Sequence, residues 1–336
     1  MSPLIRQATF LIGALVSLAS AYSLAAEMPD SNGPVPTPAW AQAWLDEGYL
    51  PRQQALGQAA DQLVTSSAAL CEQADANKLK AVRAAWLATS TAWRALDGAP
   101  AGPMVLARLG RKIDFRPVRV AELEAAIQGG PSNVATQGLA AMEYLLWGDA
   151  PNSPILNQLK NPVRCGYLAT TSKSIAVEIH TLDDGWRIYR EQLGADNPFF
   201  RQNMFSEHVN LMIASLTGLS KRMPAAETVN AEQFAEWRSN SAKAQLLAQL
   251  GGFERAMRGV NRQLAESGHS KLAQAMQADL GEAQAQCSKL PDTLEKAPAK
   301  ARLSCNKALL QLKKRLQDEI AEKLDLSLGF TEGDGD

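Results

Sequence analysis

The chain has 336 residues with 34 basic and 35 acidic side chains, so its formal net charge at pH 7 is −1. Because charges of both signs are mixed along the chain, it lacks the basic surface that a nucleic-acid-binding protein needs, and we expect no nucleic acid partner. Once an N-terminal export signal is removed, the remaining length predicts two domains of roughly 150 residues each.

The N-terminal residues have the pattern of a secretory signal peptide. Residues 1–7 carry one basic side chain, Arg6, and an apolar run over residues 8–19 follows, with small residues through Ala26. A charged start, an apolar stretch and small residues near the cleavage point are the three parts of such a signal. We therefore predict a signal peptide over residues 1–26.

The sequence after this signal predicts neither a lipid anchor nor a membrane span. Small residues permit cleavage after Ala21 or after Ala25, and the first cysteine is Cys71, so no thiol lies at the cleavage site to accept a lipid. No later segment reaches the roughly 20 apolar residues needed to cross a bilayer. The prediction is an exported, soluble, periplasmic protein.

Beyond a proline-rich leader at residues 27–38, apolar residues recur with the period of an α-helix along nearly the whole chain. Most of these apolar residues are spaced three, four or seven positions apart, which places them on one face of a helix. No segment shows the strict alternation of a strand. The three clearest stripes are Leu79, Val82, Trp86, Trp93 and Leu96; Leu168, Ile175, Ile179, Leu182, Trp186, Tyr189 and Leu193; and Leu303, Leu309, Leu312, Leu316, Ile320 and Leu324. The predicted fold class is all-α.

A turn-rich stretch near the middle of the chain predicts a domain boundary. Gly148 to Pro154 contains one glycine and two prolines together with Asp149, Asn152 and Ser153. Such residues interrupt helices and favour turns. We therefore predict a first helical bundle over residues 39–153 and a second over residues 154–330.

The four cysteines predict disulfide bonds, because an exported protein folds in an oxidising compartment. Cys71, Cys165, Cys287 and Cys305 allow three pairings. Cys287 and Cys305 flank a turn-rich stretch, so a bond between them would close a helical hairpin, and this is the pairing we favour. Cys71 with Cys165 would then link the two halves of the chain.

Sequence motifs of the common hydrolases are absent. The chain has no HExxH, no G-x-S-x-G and no glycine loop for phosphate, and its histidines are His180, His208 and His269. His180 precedes Asp183 by three residues and could hold a metal with it, or lie at the edge of the bundle. His208 could be a ligand, or a surface or capping residue beside Glu207. His269 follows a helix break and fits an ordinary loop.

The segment from Gln137 to Gly148 places a carboxylate on an apolar helix. Glu143 lies four residues after Leu139 and three before Leu146, so its side chain points along the buried face unless it lies at the edge of the stripe and reaches water. A buried carboxylate needs hydrogen bonds or a cation, or else it takes up a proton. We expect Arg94 or Arg116 to neutralise Glu143.

This segment resembles the signature of the imelysin family, a G-x-H-x-x-E motif within a run similar to G-F-H-A-I-E-Y-L-L-W-G. Residues 138–148 match it at Gly138, Glu143 and the closing Leu-Leu-Trp-Gly, but Ala140 stands in the place of the histidine. Further similar segments are Ala85-Trp86, Ala92-Trp93-Arg94, Gly102-Pro103, residues 112–117, Arg164-Cys165 and residues 236–239. The resemblance implies two helical bundles related by an internal duplication, with a functional cleft between them.

The resemblance also implies candidate site residues. The expected ligand cleft comprises Gly138, Ala140, Glu143, Arg94, Gly102, Pro103, Asp114, Arg116, Trp147, His208, Arg238, Ser239 and Ser241. The cofactor implied is a divalent metal or iron, to which Glu143 would contribute a weak or vestigial ligand. The expected partner is a small ligand, a metal or another envelope protein.

Family members are catalogued as metallopeptidases or linked to iron uptake. The missing histidine bears on which of these two functions the chain could have. Catalytic zinc is usually held by three protein ligands, so the loss of one weakens both metal binding and the activation of water. We therefore predict no peptidase activity and expect a binding or accessory protein linked to iron or metal acquisition. The alternative is a divergent metallopeptidase with a site rebuilt from Glu143, Asp114 or His208.

Overall fold

A computed structural model describes residues 33–149 and 152–329, and every regular element in these ranges is a helix. The predicted all-α class is therefore confirmed. The predicted signal peptide, the start of the proline-rich leader and residue 330 lie outside the described residues. Among the described helices, none is long and apolar enough to cross a lipid bilayer.

In chain order, the described helices up to residue 194 are α1 (Pro38–Gly48), α2 (Leu50–Glu72), α3 (Ala76–Asp97), α4 (Pro103–Leu106), α5 (Leu109–Ile113), α6 (Val120–Ile127), α7 (Gly138–Trp147), α8 (Ile155–Leu159) and α9 (Pro162–Gly194). They are followed by α10 (Pro198–Lys221), α11 (Ala242–Glu266), α12 (Ser270–Ser288), α13 (Ala299–Lys314) and α14 (Ala321–Lys323), with a π-helical turn over Arg315–Ile320 between the last two. Short 3₁₀ turns occur at Val134–Thr136, Ala231–Gln233 and Leu294–Lys296.

Several helix starts follow directly from the sequence. A side-chain oxygen of Thr37, Asp75, Asn161 or Asn197 accepts a hydrogen bond from a backbone N–H in the first turn of α1, α3, α9 or α10. Such caps satisfy donors that the helix itself leaves free. Proline follows the cap in α1, α9 and α10, where its fixed φ suits the first helical position.

The helices pack around α2, α3, α9 and α11. α2 lies against both α3 and α9, α3 lies against α11, and α11, α12 and α13 pack in succession. Helices from both sides of residue 154 therefore contact one another, and the described residues form one compact unit. The two bundles, their boundary and the internal duplication stay predictions about the organisation within that unit.

The predicted apolar stripes are buried, with one exception. Every stripe residue of α3 and α9 is buried, as are the residues of the last stripe from Leu309 to Leu324. Leu303, however, is 44% exposed, so its assignment to that stripe was wrong. Leu303 precedes Leu309 by six residues, which turns it well away from the buried face of a helix with 3.6 residues per turn. Arg302 and Cys305 occupy that face instead.

Both expected disulfides are present. Cys71 of α2 bonds to Cys165 of α9, and Cys287 of α12 bonds to Cys305 of α13. The favoured pairing and its complement across the two halves are thus confirmed. The first bond closes 94 residues of chain and the second 18, so the first restricts the unfolded chain more strongly in the loop-entropy account.

Candidate functional site

The helix that carries Glu143 is held close to the residues that surround its carboxylate. α7 begins at Gly138, whose φ is +82°, and a Cβ at this position would lie 2.5 Å from the carbonyl oxygen of Ile113. Only glycine permits both this conformation and this approach. Trp86 of α3 donates a hydrogen bond to the carbonyl of Leu139 (2.9 Å), which fixes α7 against α3.

Glu143 is fully buried, and both of its carboxylate oxygens accept hydrogen bonds. Oε1 accepts from the backbone N–H of Ser239 (3.0 Å) and from its hydroxyl (2.8 Å), and Oε2 lies 3.3 Å from Nη1 of Arg116. Burial raises the pKa of Glu143, Arg116 opposes this rise, and the nearby Glu236 reinforces it. The expectation that an arginine pairs with Glu143 is met by Arg116.

Arg116 lies among three carboxylates. Nε contacts Asp114 at 2.9 Å and Nη2 contacts Glu236 at 3.1 Å, in addition to the contact with Glu143. Burial acts to lower the pKa of Arg116, but the three carboxylates outweigh it and hold the pKa above the ordinary value. The guanidinium therefore acts as a permanent cation at the place where these acids meet.

Arg94 forms a second and more deeply buried centre. Its Nη2 lies 2.6 Å from both Asp114 and Glu236, and Nη1 lies 2.9 Å from Asp97. Burial would lower the pKa of Arg94, yet Asp114, Glu236 and Asp97 raise it well above its usual range. We call Arg94, Asp97, Asp114, Arg116, Glu143 and Glu236 the charged network. Asp97 and Glu236 were not among the residues chosen from the sequence.

Glu236 reaches the charged network through an unusual backbone turn. Glu236 and Asn240 have φ of +59° and +56°, a left-handed conformation that is uncommon for residues other than glycine. Within this turn the backbone N–H of Ser241 donates to the carbonyl of Glu236 (3.2 Å), and the hydroxyls of Ser239 and Ser241 lie 2.8 Å apart. The turn thus presents a carboxylate and a serine to the same place.

A small cavity of about 20 Å³ adjoins the charged network, next to Arg94 and Glu236. Arg222 and Gln245 also line it, and the side-chain oxygen of the buried Gln245 has no hydrogen-bond partner among the described residues. Burial lowers the pKa of Arg222, and Arg94 lowers it further. The cavity has room for about one water molecule.

Arg238 and Trp147, two further residues of the predicted cleft, pack against aromatic rings. Arg238 pairs with Asp149 at 2.6 Å and covers the rings of Trp237 and Tyr144. Trp147 packs edge-on against Trp86.

Gly102 and Pro103 contact α9 rather than residues of the charged network. Gly102 has φ of +51°, and a Cβ there would lie 3.0 Å from the ring of Tyr189, while Cβ of Pro103 lies against Gly185. These two residues therefore position the start of α4 on α9.

His208 is buried in an aromatic cluster rather than beside Glu143. Its Nδ1 lies 3.3 Å from the hydroxyl of Tyr49, and its ring packs edge-on against Trp44. Burial, together with the charge of Arg52, lowers the pKa of His208 to about 3. The imidazole is therefore neutral at physiological pH, and it does not join the residues predicted to share its cleft.

The donor set around Glu143 does not fit a zinc or iron site. Ala140 is buried and offers no ligand atom, while both oxygens of Glu143 already accept hydrogen bonds. No group of three or more His, Cys, Asp or Glu side chains suited to a metal ion occurs within residues 33–149 and 152–329. The cation nearest to the carboxylate is the guanidinium of Arg116.

Comparison with known proteins identifies the fold and the family. No curated protein matches the chain significantly. The crystal structure of an imelysin-like protein from Psychrobacter arcticum 273-4 is similar with a TM-score of 0.71 and 14% identity, covering 88% of this chain and 99% of that one.

A second similar crystal structure is that of the "putative iron-regulated protein A precursor" from Parabacteroides distasonis ATCC 8503. Its TM-score is 0.70 at 14% identity, with 88% of this chain and 98% of that one covered. At these identities the two structures establish the fold alone. The family model for imelysin (Peptidase_M75), in contrast, matches residues 48–326 of the sequence itself. The chain therefore belongs to the imelysin family.

Proposed function

We propose that this member of the imelysin family is a non-enzymatic binding or accessory protein that serves iron or metal acquisition in the bacterial periplasm. The observation that carries the proposal is the environment of Glu143. Arg116 supplies the positive charge and Ser239 the hydrogen bonds that a metal ion and its other ligands would otherwise provide. A carboxylate whose two oxygens are both occupied in this way is not free to bind a catalytic metal.

Two further features support this function. The two disulfides fit a protein that folds in an oxidising compartment. One of the structural neighbours bears the name of an iron-regulated protein precursor, which makes iron the first process to examine. In this proposal the charged network stabilises the fold around a surface that binds a small ligand, a metal or another envelope protein.

Proteolysis assays test the absence of enzymatic activity. We expect no cleavage of unfolded casein by the full chain, with zinc, with ferrous iron or after treatment with a chelator. Cleavage that the chelator abolishes, and that the Glu143→Ala variant lacks, would overturn the proposal in favour of a divergent metallopeptidase.

Metal titration tests the role of Arg116 in place of a metal. Residues three apart on a helix share a face, so Ala140→His would place an imidazole beside Glu143. We expect weak or no zinc binding by the wild type, a measurable gain with Ala140→His, and a larger gain when Arg116→Met also removes the competing cation. Adding Glu143→Ala to Ala140→His should abolish the gain. Tight binding by the wild type that Glu143→Ala abolishes would contradict the proposal.

A further inference from the structure

The chain carries an excess of positive charge near its C-terminal end. Residues 296–317 include seven basic residues and no acidic one, whereas the whole chain has a formal net charge of −1. Arg302 is buried and Arg315 pairs with Asp279, so the basic side chains left over in this segment are five lysines. Most of the segment is helix α13, and the positive charge is therefore fixed on a folded element.

Three of these lysines alternate with two leucines along one face of α13. At roughly 100° per residue, positions spaced three, four, three and four apart fall within about 80° of the helix circumference. All five side chains are exposed, the two leucines by 44% and 46%. We define the Lys–Leu stripe as Lys300, Leu303, Lys307, Leu310 and Lys314.

The opposite face of α13 is buried, which turns the Lys–Leu stripe toward the outside. Leu309 and Leu312 are fully buried, and Cys305 is bonded to Cys287 of α12. Along the stripe the helix rises by about 21 Å. Because the disulfide and the buried leucines already hold α13 in place, binding through the stripe requires no further ordering of the chain.

The lysines of the Lys–Leu stripe have no ion-pair partner within residues 33–149 and 152–329, where the lysines that pair with acids are Lys112, Lys243 and Lys323. The buried ion pairs are made by arginine, as in Arg94 and Arg116. Arginine presents a rigid fork that matches a fixed carboxylate, whereas lysine is a point charge on a flexible stem. The stripe is therefore better suited to a continuous negative surface than to a particular set of carboxylates.

The leucines between the lysines add apolar contact to this charge. On a lipid surface, leucine side chains enter the boundary between headgroups and acyl chains, while lysine stems extend so that their ammonium groups stay among the phosphates. An exposed helix face on which the two residue types alternate matches both layers. We propose that the Lys–Leu stripe docks the protein on an anionic phospholipid surface, with α13 lying in the plane of the membrane. Such docking is independent of the ligand that the protein binds.

Cosedimentation with lipid vesicles tests the docking. The protein used is the chain from Glu27 onward, which contains the whole compact unit, because the apolar run at residues 8–19 would itself enter a bilayer. We expect binding to vesicles of equal parts phosphatidylglycerol and phosphatidylcholine, and binding about tenfold weaker or more to phosphatidylcholine alone. Raising the salt concentration should also weaken binding to the mixed vesicles, because salt screens the charges.

Variants of the Lys–Leu stripe measure the two contributions separately. A lysine near an anionic surface contributes about fivefold in affinity, so Lys300→Gln, Lys307→Gln and Lys314→Gln together should weaken binding to the mixed vesicles about 100-fold. Leu303→Ser with Leu310→Ser should weaken it about tenfold, because the apolar side chains no longer enter the interface.

The control is a triple variant at exposed lysines elsewhere, Lys80→Gln, Lys160→Gln and Lys173→Gln, which changes the net charge by the same amount. It should weaken binding by less than about threefold, since these lysines lie away from the lipid and are screened. The proposal is overturned if the protein binds both kinds of vesicle equally, if the control loses as much affinity as the lysine variant of the stripe, or if the leucine variant binds as the wild type does. Binding of poly-L-glutamate without binding of the mixed vesicles would also overturn it and assign the stripe to an acidic protein partner.

Discussion

The protein buries two arginines in different environments: Arg94 is surrounded by carboxylates, whereas Arg52 contacts backbone carbonyls. Arg94 is surrounded by the carboxylates of Asp97, Asp114 and Glu236, which raise its pKa. Arg52, equally inaccessible to water, has no hydrogen bond to an acid within residues 33–149 and 152–329, and burial lowers its pKa. The first arrangement joins charges from distant segments, and the second mainly satisfies carbonyls at the ends of α1 and α3.

The environment of Arg52 is built from backbone carbonyls and an aromatic ring. Its guanidinium donates to the carbonyls of Gly48, Ala95 (2.6 Å) and Gly252 (3.1 Å) and lies 4.5 Å from the ring centre of Tyr49. Gly48 ends α1 and Ala95 lies in the last turn of α3, where free carbonyls and the helix dipole favour a cation. The positive charge of Arg52 therefore needs no carboxylate nearby.

The largest expected effect comes from removing the charge-paired arginine. Arg94→Met leaves Asp114 and Glu236 buried with reduced compensation, and breaking such a pair costs about 3–5 kcal/mol. Urea unfolding should show a loss of this size, while the exposed Arg255→Met should change the unfolding free energy by less than about 0.5 kcal/mol. Equal shifts for the two variants would show that the charged network does not depend on Arg94.

The capping arginine should cost less. Arg52→Met leaves backbone carbonyls unpaired but no buried charge, and an unsatisfied polar group costs about 1–3 kcal/mol. The midpoint of urea unfolding should therefore fall between those of the Arg255→Met and Arg94→Met variants. A loss larger than that of Arg94→Met would reverse the comparison and make helix capping the stronger of the two arrangements.

His208, in the aromatic cluster beside Arg52, should make the stability of the protein depend on pH. Its pKa is about 3 in the folded protein and close to 6.5 when unfolded, so the unfolded chain binds the proton first as pH falls. His208 therefore lowers stability as pH drops below 6.5, by about 1.4 kcal/mol at pH 5.5. His208→Phe should lose less stability between pH 7.5 and pH 5.5 than the wild type does.

His180 provides the opposite control. Its pKa is raised by Asp61 and Asp183, so its contribution to stability is present below pH 6.5 and is lost as pH rises through the folded pKa. Removing it with His180→Asn should make the loss of stability on acidification larger. A His208→Phe variant with the same pH dependence as the wild type would show that burial leaves the pKa of His208 unchanged on folding.

Features that depend on local helical periodicity could be predicted from the sequence, whereas contacts made by segments distant in the chain could not. The stripes of α3 and α9 and the burial of Glu143 follow from helical spacing, and Arg116 was one of two arginines expected to pair with it. Glu236 was missed because no local pattern reveals the left-handed turn that brings it to Arg94.

The placement of His208 had the same limitation. Its neighbours Trp44 and Tyr49 lie in α1 and at the junction of α1 with α2, far from His208 in the sequence. The helix that contains His208, α10, has apolar residues on several faces. Spacing alone therefore could not separate a buried aromatic contact from a ligand facing a cleft. The signal that could have helped is the concentration of Trp40, Trp44 and Tyr49 in one short segment, since such a cluster must pack against other buried rings.

The smallest expected effect concerns Glu143, the residue that defines the family resemblance. Burial raises its pKa, so its contribution to stability is greatest below about pH 4.5 and declines as pH rises and the carboxylate ionises. Glu143→Gln removes this ionisation and keeps an oxygen for Ser239, but its amide group cannot pair with Arg116. These two changes oppose each other, and we expect the unfolding free energy at pH 7 to change by less than about 1 kcal/mol, the size of one ordinary hydrogen bond. Urea unfolding of Glu143→Gln beside Arg94→Met measures the difference. If Glu143→Gln costs as much as Arg94→Met, Glu143 is itself a main anchor of the charged network and its pairing with Arg116 outweighs the cost of burying it.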